Sequence, residues 1–346
     1  MLSRSSSALL SVFRFLLALT VIFSHADPRV SATSGLVAVE CFFVISGFLI
    51  TMITTGTYAG RPRDFLVNRF LRIYPLYWVC TLLALALVIA IPQVHTFNHT
   101  LVIPHYFRAI GWDIIIFYPT VFQHRPILSL AWSLGTELWF YLIIGLVTAS
   151  RPRLTFWCLC ASLIGAFVFI RFWHFAFYGS PVGNAYAFFL GSWCWQWKDR
   201  IQLSPHIAVI TAFAAIAIVI AAFGPYMGAR IVNVAFSPLI AAAFLIALYQ
   251  LKVELPSSLT GFCNWLGRLS YPMFLTHFPL LALLQVEGFT RGLVLFFYCA
   301  ALSTLLSATL LLVVESPIDR LRRHIRGKRS VSDETNKVFD KIAARA

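Results

Sequence analysis

Long apolar runs, broken by short polar or basic interruptions, recur from one end of the chain to the other. Runs long enough to cross about 30 Å of hydrocarbon lie near residues 8–26, 34–55, 71–92, 128–149, 153–172, 184–198, 206–223, 232–251, 268–287 and 291–314. The sixth is short and rich in tryptophan. Between the third and fourth, residues 93–127 are rich in proline, histidine and aromatics, with one apolar patch from Trp112 to Phe122. That stretch predicts a long loop carrying a surface or re-entrant helix. The whole pattern predicts an all-α integral membrane protein: a bundle of about ten transmembrane helices over 1–320, no separate soluble domain, and a basic tail over 321–346.

Composition points the same way. Of 346 residues, 60% are hydrophobic and only 12% charged, whereas a soluble domain runs nearer 25% charged. The net charge of +14 would suggest nucleic acid in a soluble chain, but its distribution explains it here. With the N-terminus in the cytoplasm, 20 of the 27 lysines and arginines fall on inside segments, the asymmetry expected of membrane proteins. Both termini are then cytoplasmic and no nucleic-acid partner is needed. The stretch Arg320 to Arg329 suits anionic lipid headgroups, with a specific protein partner as the lesser reading. Arg4, the run Phe15–Phe23 and Ser24-His25-Ala26 imitate a secretory signal peptide. Arg14 ahead of the run and the bulky His25 in the cleavage triplet argue against cleavage. The seven cysteines read as small buried hydrophobes, and Cys158 and Cys160 face different ways on a helix. No metal-ligand spacing is found. Asn98-His99-Thr100 fits a glycosylation acceptor.

Several polar residues stand where lipid would reject them. Arg14 and His25 are eleven positions apart, which places them on nearly one helix face, roughly 16 Å apart along the axis. Such residues in a span face a protein interior or a wet cavity. Arg69 and Arg72, three apart, share a face and suit either a phosphate-bearing ligand or headgroup anchoring. Glu137, in the fourth span, either orients an imidazole or neutralises Arg14, and Ser133 lies on its face. In the ninth span Pro272 and Pro279 bracket His277, which predicts a broken backbone with Tyr271 and His277 lining a cavity; alone, His277 reads first as a bonded core histidine. Glu315-Ser316-Pro317 predicts the stop of the last helix. Glu40 is acidic in the second span and carries no assignment.

As a set, these fragments resemble the membrane-bound acyltransferase-3 family. Arg14 with His25, the Gly47-Phe48 end of VECFFVISGFLI, NRFLRIYPLYW, SLAWSLGTELWFY, LSYPMFLTH and VVESP occur in the family's order, from about residue 8 to about 320. The resemblance implies a ten-helix enzyme that moves an acyl group, commonly acetyl, from cytoplasmic acyl-CoA to a hydroxyl. Family acceptors are often sugars of cell-surface polysaccharides, and some are small molecules or lipids. It places the family's arginine and histidine on Arg14 and His25, its paired arginines on Arg69 and Arg72, its motif glutamate on Glu137 and its late histidine on His277. Some members carry an extra soluble hydrolase-like domain, for which this chain is too short.

The chemistry fits those residues. Acyl transfer from a thioester to an alcohol needs a base for the hydroxyl proton, which histidine supplies, and a donor for the oxyanion, such as arginine. Acyl-CoA is the donor substrate, with no bound cofactor, and the acceptor is a carbohydrate or glycolipid in the plasma or inner membrane. Direct attack by the sugar hydroxyl is the favoured mechanism, an acyl-histidine relay the alternative. Two other functions compete. A transporter or flippase shares the buried charges and proline breaks, yet the sequence shows no two-fold repeat. A haem protein ligated by His25 and His277 would leave Arg69 and Arg72 unexplained.

Overall fold

The computed structural model describes residues 2–29, 32–101, 103–104, 106–117, 126–172, 180–201, 230–251 and 254–326. Among them every regular element is helical. They are α1 (Arg4–Ala26), α2 (Ala32–Thr55), α3 (Pro62–Ala90), α4 (Val94–Phe97), α5 (Phe107–Ile115), α6 (Ala131–Leu142), α7 (Pro152–Phe172), α8 (Pro181–Trp197), α9 (Arg230–Gln250), α10 (Ser257–Val286) and α11 (Leu293–Leu310). Two continue as π-helical turns, α6 through Ile143–Thr148 and α11 through Leu311–Glu315. Local chemistry sets several starts. The Ser3 hydroxyl accepts from the Ser6 N–H ahead of α1, Ser180 does the same for Gly183 ahead of α8, and prolines open α3, α7 and α8 where a missing N–H is harmless.

Nine of the ten predicted spans fall on these helices; the seventh, 206–223, lies outside the described residues. Among the described residues, six helices are long and apolar enough to cross a membrane: α1, Ser34–Thr55 of α2, α3, Ala131–Thr148, α10 and Leu293–Arg326. Pro152–Ala166 and Ser237–Gln250 are shorter apolar helices. The molecule is an all-α integral membrane protein.

The 93–127 stretch carries the expected helix, over Phe107–Ile115, and Trp78 and Tyr74 of α3 donate to the carbonyls of Ile114 and Ile115 at its end. Two local expectations need correction. The ninth span is not broken: α10 passes through both Pro272 and Pro279. A proline removes one N–H and leaves a carbonyl free, and neighbouring side chains bond to the backbone nearby. Thr276 Oγ1 donates to Pro272 O at 2.9 Å, and Cys299 Sγ to His277 O at 3.7 Å. The stop at Glu315-Ser316-Pro317 does not occur either, and helix continues to residue 326. The π-turn supplies the reason, since its wider ring gives Pro317 room where an α-turn would clash.

Without a hydrophobic drive between helices in lipid, close association depends on small residues. At Gly47 the backbone of α2 meets Phe188 O of α8, and at Gly191 that of α8 meets Val44 O of α2; a Cβ at either would overlap the opposing carbonyl. Thr51 then donates to Ser192 across the same seam at 2.7 Å. Next to it Phe188 stacks between Phe140 and Phe43, with ring centroids at 4.1 and 4.7 Å. α1 lies against α10 in the same way, with Gly267 against Ser11. These packings fix where the polar residues of α1, α2, α6 and α10 can meet.

Candidate active site

The predicted polar positions divide into two groups. At the first, Arg14, Arg69, Arg72, Ser133, Glu137 and Tyr271 line one cavity of about 140 Å³, together with Ser46 and Tyr141. Residues from five helices therefore converge: α1, α2, α3, α6 and α10. Arg69 and Arg72 reach it because α3 starts at Pro62, ahead of its apolar run, so both stand inside the helix rather than at its mouth.

Glu137 makes no direct hydrogen bond to either of its two expected partners among the described residues, although its charge acts on Arg14 across the cavity. Its Oε1 accepts from Ser46 at 2.9 Å and from Tyr141 OH at 2.7 Å. Among the described residues no carboxylate lies within ion-pair distance of Arg14, so its guanidinium is available to the cavity. Arg72 donates to Glu315 Oε1 at 3.0 Å and stands 5.4 Å over the Tyr271 ring. Arg69 has no carboxylate partner among the described residues; it donates to Asn68 Oδ1 at 2.9 Å and faces the Tyr141 ring at 5.6 Å. The cavity thus holds two guanidiniums without an ion-pair partner beside one neutralised pair, an arrangement that accepts anions.

His25 and His277 form the second group and do not line that cavity. His25 occupies the last turn of α1, half-buried, stacked on His277 with centroids 5.8 Å apart and against Phe278 at 4.5 Å. His277 is fully buried. Its Nδ1 lies 3.2 Å from Met273 O. A carbonyl only accepts, so Nδ1 carries the proton and Nε2 keeps its lone pair. That Nε2 has no partner among the described residues. Gly35 lies beside this pair, where a Cβ would strike Ser24 Oγ and come within 4.0 Å of His25 Nε2. The two groups adjoin through Phe274, which lines the cavity and sets its ring 6.2 Å from that of His277. Just beyond His25, Asp27 caps α1, and its hydrogen bonds from Arg29 hold its carboxyl below the usual range.

Glu40 is buried at 1% exposure, and its Oε2 has no partner among the described residues; it lies outside the cavity. All seven cysteines are free. Sequence reasoning missed two residues of the cavity. Tyr141 was findable, standing one turn from Glu137. Ser46 gave no signal, because its partner Glu137 is 91 positions away in the chain.

A match to an acyltransferase domain, that of the acyltransferase-3 family, runs from residue 8 to residue 313. The chain is also 32% identical over 116 residues to the exopolysaccharide production protein ExoZ of Rhizobium meliloti (strain 1021). That alignment covers 33% of this chain and 34% of the relative. No solved structure matches.

Proposed function

Because this chain belongs to the acyltransferase-3 family and is a membrane acyltransferase, we propose that it moves an acetyl group from cytoplasmic acyl-CoA to a hydroxyl of a cell-surface or exported polysaccharide or glycolipid. One observation carries this reading: unpaired Arg14 and Arg69 share a cavity with Tyr271 and Glu137, while the far turn of α1 presents His25. CoA phosphates suit the arginine end. Its long pantetheine arm would have to pass Phe274, which separates the cavity from the histidines, to bring the thioester to His25. The relative's name, exopolysaccharide production protein, supports a carbohydrate acceptor here.

In this mechanism the acceptor hydroxyl loses its proton to His25 as its oxygen attacks the thioester carbonyl carbon. The C–S bond then breaks, and the proton passes to the departing CoA thiolate. Attack is direct, without an acyl-histidine. Arg14 and Glu137 serve the cavity, Arg14 by countering negative charge and Glu137 by holding Ser46 and Tyr141 in place. Ser133 and Tyr271 line the cavity, and His277 supports His25 from behind. Of the basic residues that end the described helix, the exposed Arg320, Arg323 and Arg326 lie against anionic lipid while Arg322 is buried, and both termini face the cytoplasm of a plasma or inner membrane.

Purified protein given labelled acetyl-CoA and a polysaccharide or glycan-lipid fraction should release free CoA and label the glycan. Cells lacking the protein should lose O-acetyl groups from surface polysaccharide. Release of CoA without any change in glycan acylation would overturn the acceptor. No consumption of acetyl-CoA, with the glycan present, would overturn the donor.

A further inference from the structure

The helix that continues past the predicted stop brings Arg322 back against α3. Arg322 is 8% exposed and lies beyond residue 313, where the family match ends. Its Nη1 donates to Asp319 at 2.6 Å, and its Nη2 to Asn68 Oδ1 at 3.5 Å. Arg69 donates to the same Asn68 oxygen. Asp319 also pairs with Arg268 at 2.8 Å. Along this connected set, Arg268–Asp319–Arg322–Asn68–Arg69, three arginines share one carboxylate, and two positive charges have no counter-charge. The amide of Asn68 offers only a dipole between two guanidiniums.

Three buried donors in this set also have no acceptor among the described residues: Arg69 Nε, Arg322 Nε and Asn68 Nδ2. Asn68 itself is fully buried. Two like charges held beside one amide oxygen, with three idle donors, fit an anion of charge near −2 with several acceptor oxygens. A phosphate monoester has that charge and three such oxygens, whereas each phosphate of a diphosphate bridge carries a single charge. Arg69 lines the reaction cavity, and Arg72 lines both that cavity and a small cleft shared with Asp319 and Arg322, so this set adjoins the reaction cavity.

We propose that Arg322, with Asn68 and Arg69, forms a subsite for the 3′-phosphate monoester of the CoA donor. This rests on the acyl-CoA reading above. The thioester end must lie toward His25, which leaves the nucleotide end beside α3 and the continuation of α11. The diphosphate then falls nearer Arg72, deeper in the bundle. The subsite makes the donor's ribose phosphate a specificity determinant.

Acetyl-CoA and acetyl-3′-dephospho-CoA separate this subsite from the rest of the donor. With the purified full chain, wild type should show a KM for the dephospho donor at least about tenfold higher, the loss expected for charge-assisted hydrogen bonds. Arg322→Ala should raise the acetyl-CoA KM to that level and leave the dephospho KM unchanged. Asn68→Asp, which supplies the missing counter-charge at nearly unchanged volume, should erase the same preference and guards against misfolding of the alanine variant. A wild type that uses both donors equally overturns the subsite. So does a variant pair that keeps the wild-type ratio. If wild type consumes neither donor, the acyl-CoA reading itself has failed, and the subsite with it.

Discussion

The imidazole of His25 stacks on that of His277, with ring centroids 5.8 Å apart and planes inclined by 20°. The two rings come from opposite parts of the sequence, yet their surroundings differ in a way that separates their roles. His25 is half-buried at the end of its helix, where the proposed acceptor hydroxyl would have to approach. His277 is sealed, with its tautomer set by Met273. His25→Ala should therefore give a folded protein that binds acetyl-CoA but transfers the acyl group on the order of 10²-fold more slowly, as for a lost general base. His277→Ala should cost less. A folded His277→Ala that is inactive beside an active His25→Ala would reverse the assignment; turnover and donor binding decide it.

Arg72 and Glu315 should respond as a pair, since Glu315 is 6% exposed. Arg72→Ala leaves that carboxylate uncompensated, at a cost of roughly 3–5 kcal/mol for a buried partner and toward the lower end here, because Arg72 keeps some exposure. The Arg72→Gln, Glu315→Gln double variant should recover much of the melting temperature lost by Arg72→Gln alone. Thermal melting in detergent reads both. Additive losses would show that the pair is not coupled.

Arg69→Ala should behave differently. With no carboxylate to strand, it should melt within a few degrees of wild type while binding acyl-CoA at least tenfold more weakly, the loss of one charge-assisted fork. Lysine should restore only part of the affinity, because it lacks the planar fork. Unchanged binding in Arg69→Ala would reduce Arg69 to a lipid anchor.

The α2–α8 seam has no room for side chains at two positions. Gly191→Val or Gly47→Val should force the helices apart, lower the yield of folded protein and break the Thr51–Ser192 hydrogen bond. Gly165, whose Cβ position faces open space, is the control: Gly165→Ala should be neutral. Size-exclusion profiles in detergent compare the three, and a normal Gly191→Val would contradict the packing.

Topology is checked by reporter fusions. Fusions after residues 60 and 346 should report the cytoplasm, and one near residue 100 the exterior. An exterior signal at residue 346 would make the number of crossings odd.

Much of this architecture was legible from the chain. Hydropathy located nine helices that the structure describes, because burial of apolar length in lipid is a property of each segment by itself. Local spacing likewise placed Arg69 with Arg72, and Ser133 with Glu137, on shared faces, and all four line one cavity. Spacing misled where it stood in for packing: prolines at 272, 279 and 317 predicted breaks that neighbouring helices and a π-turn absorb.

The sequence by itself determined that the chain is a helical membrane bundle and which few polar residues must be sheltered in it. Tertiary structure alone decided which of them meet. Arg72 reaches Glu315 across 243 positions, and Arg322 reaches Asn68 across 254. Glu137 hydrogen-bonds to Ser46 and Tyr141 rather than to Arg14 or a histidine. A helix face fixes only a direction. What lies in that direction depends on the crossing of helices, and here glycine contacts such as Gly47 with Phe188 set that crossing.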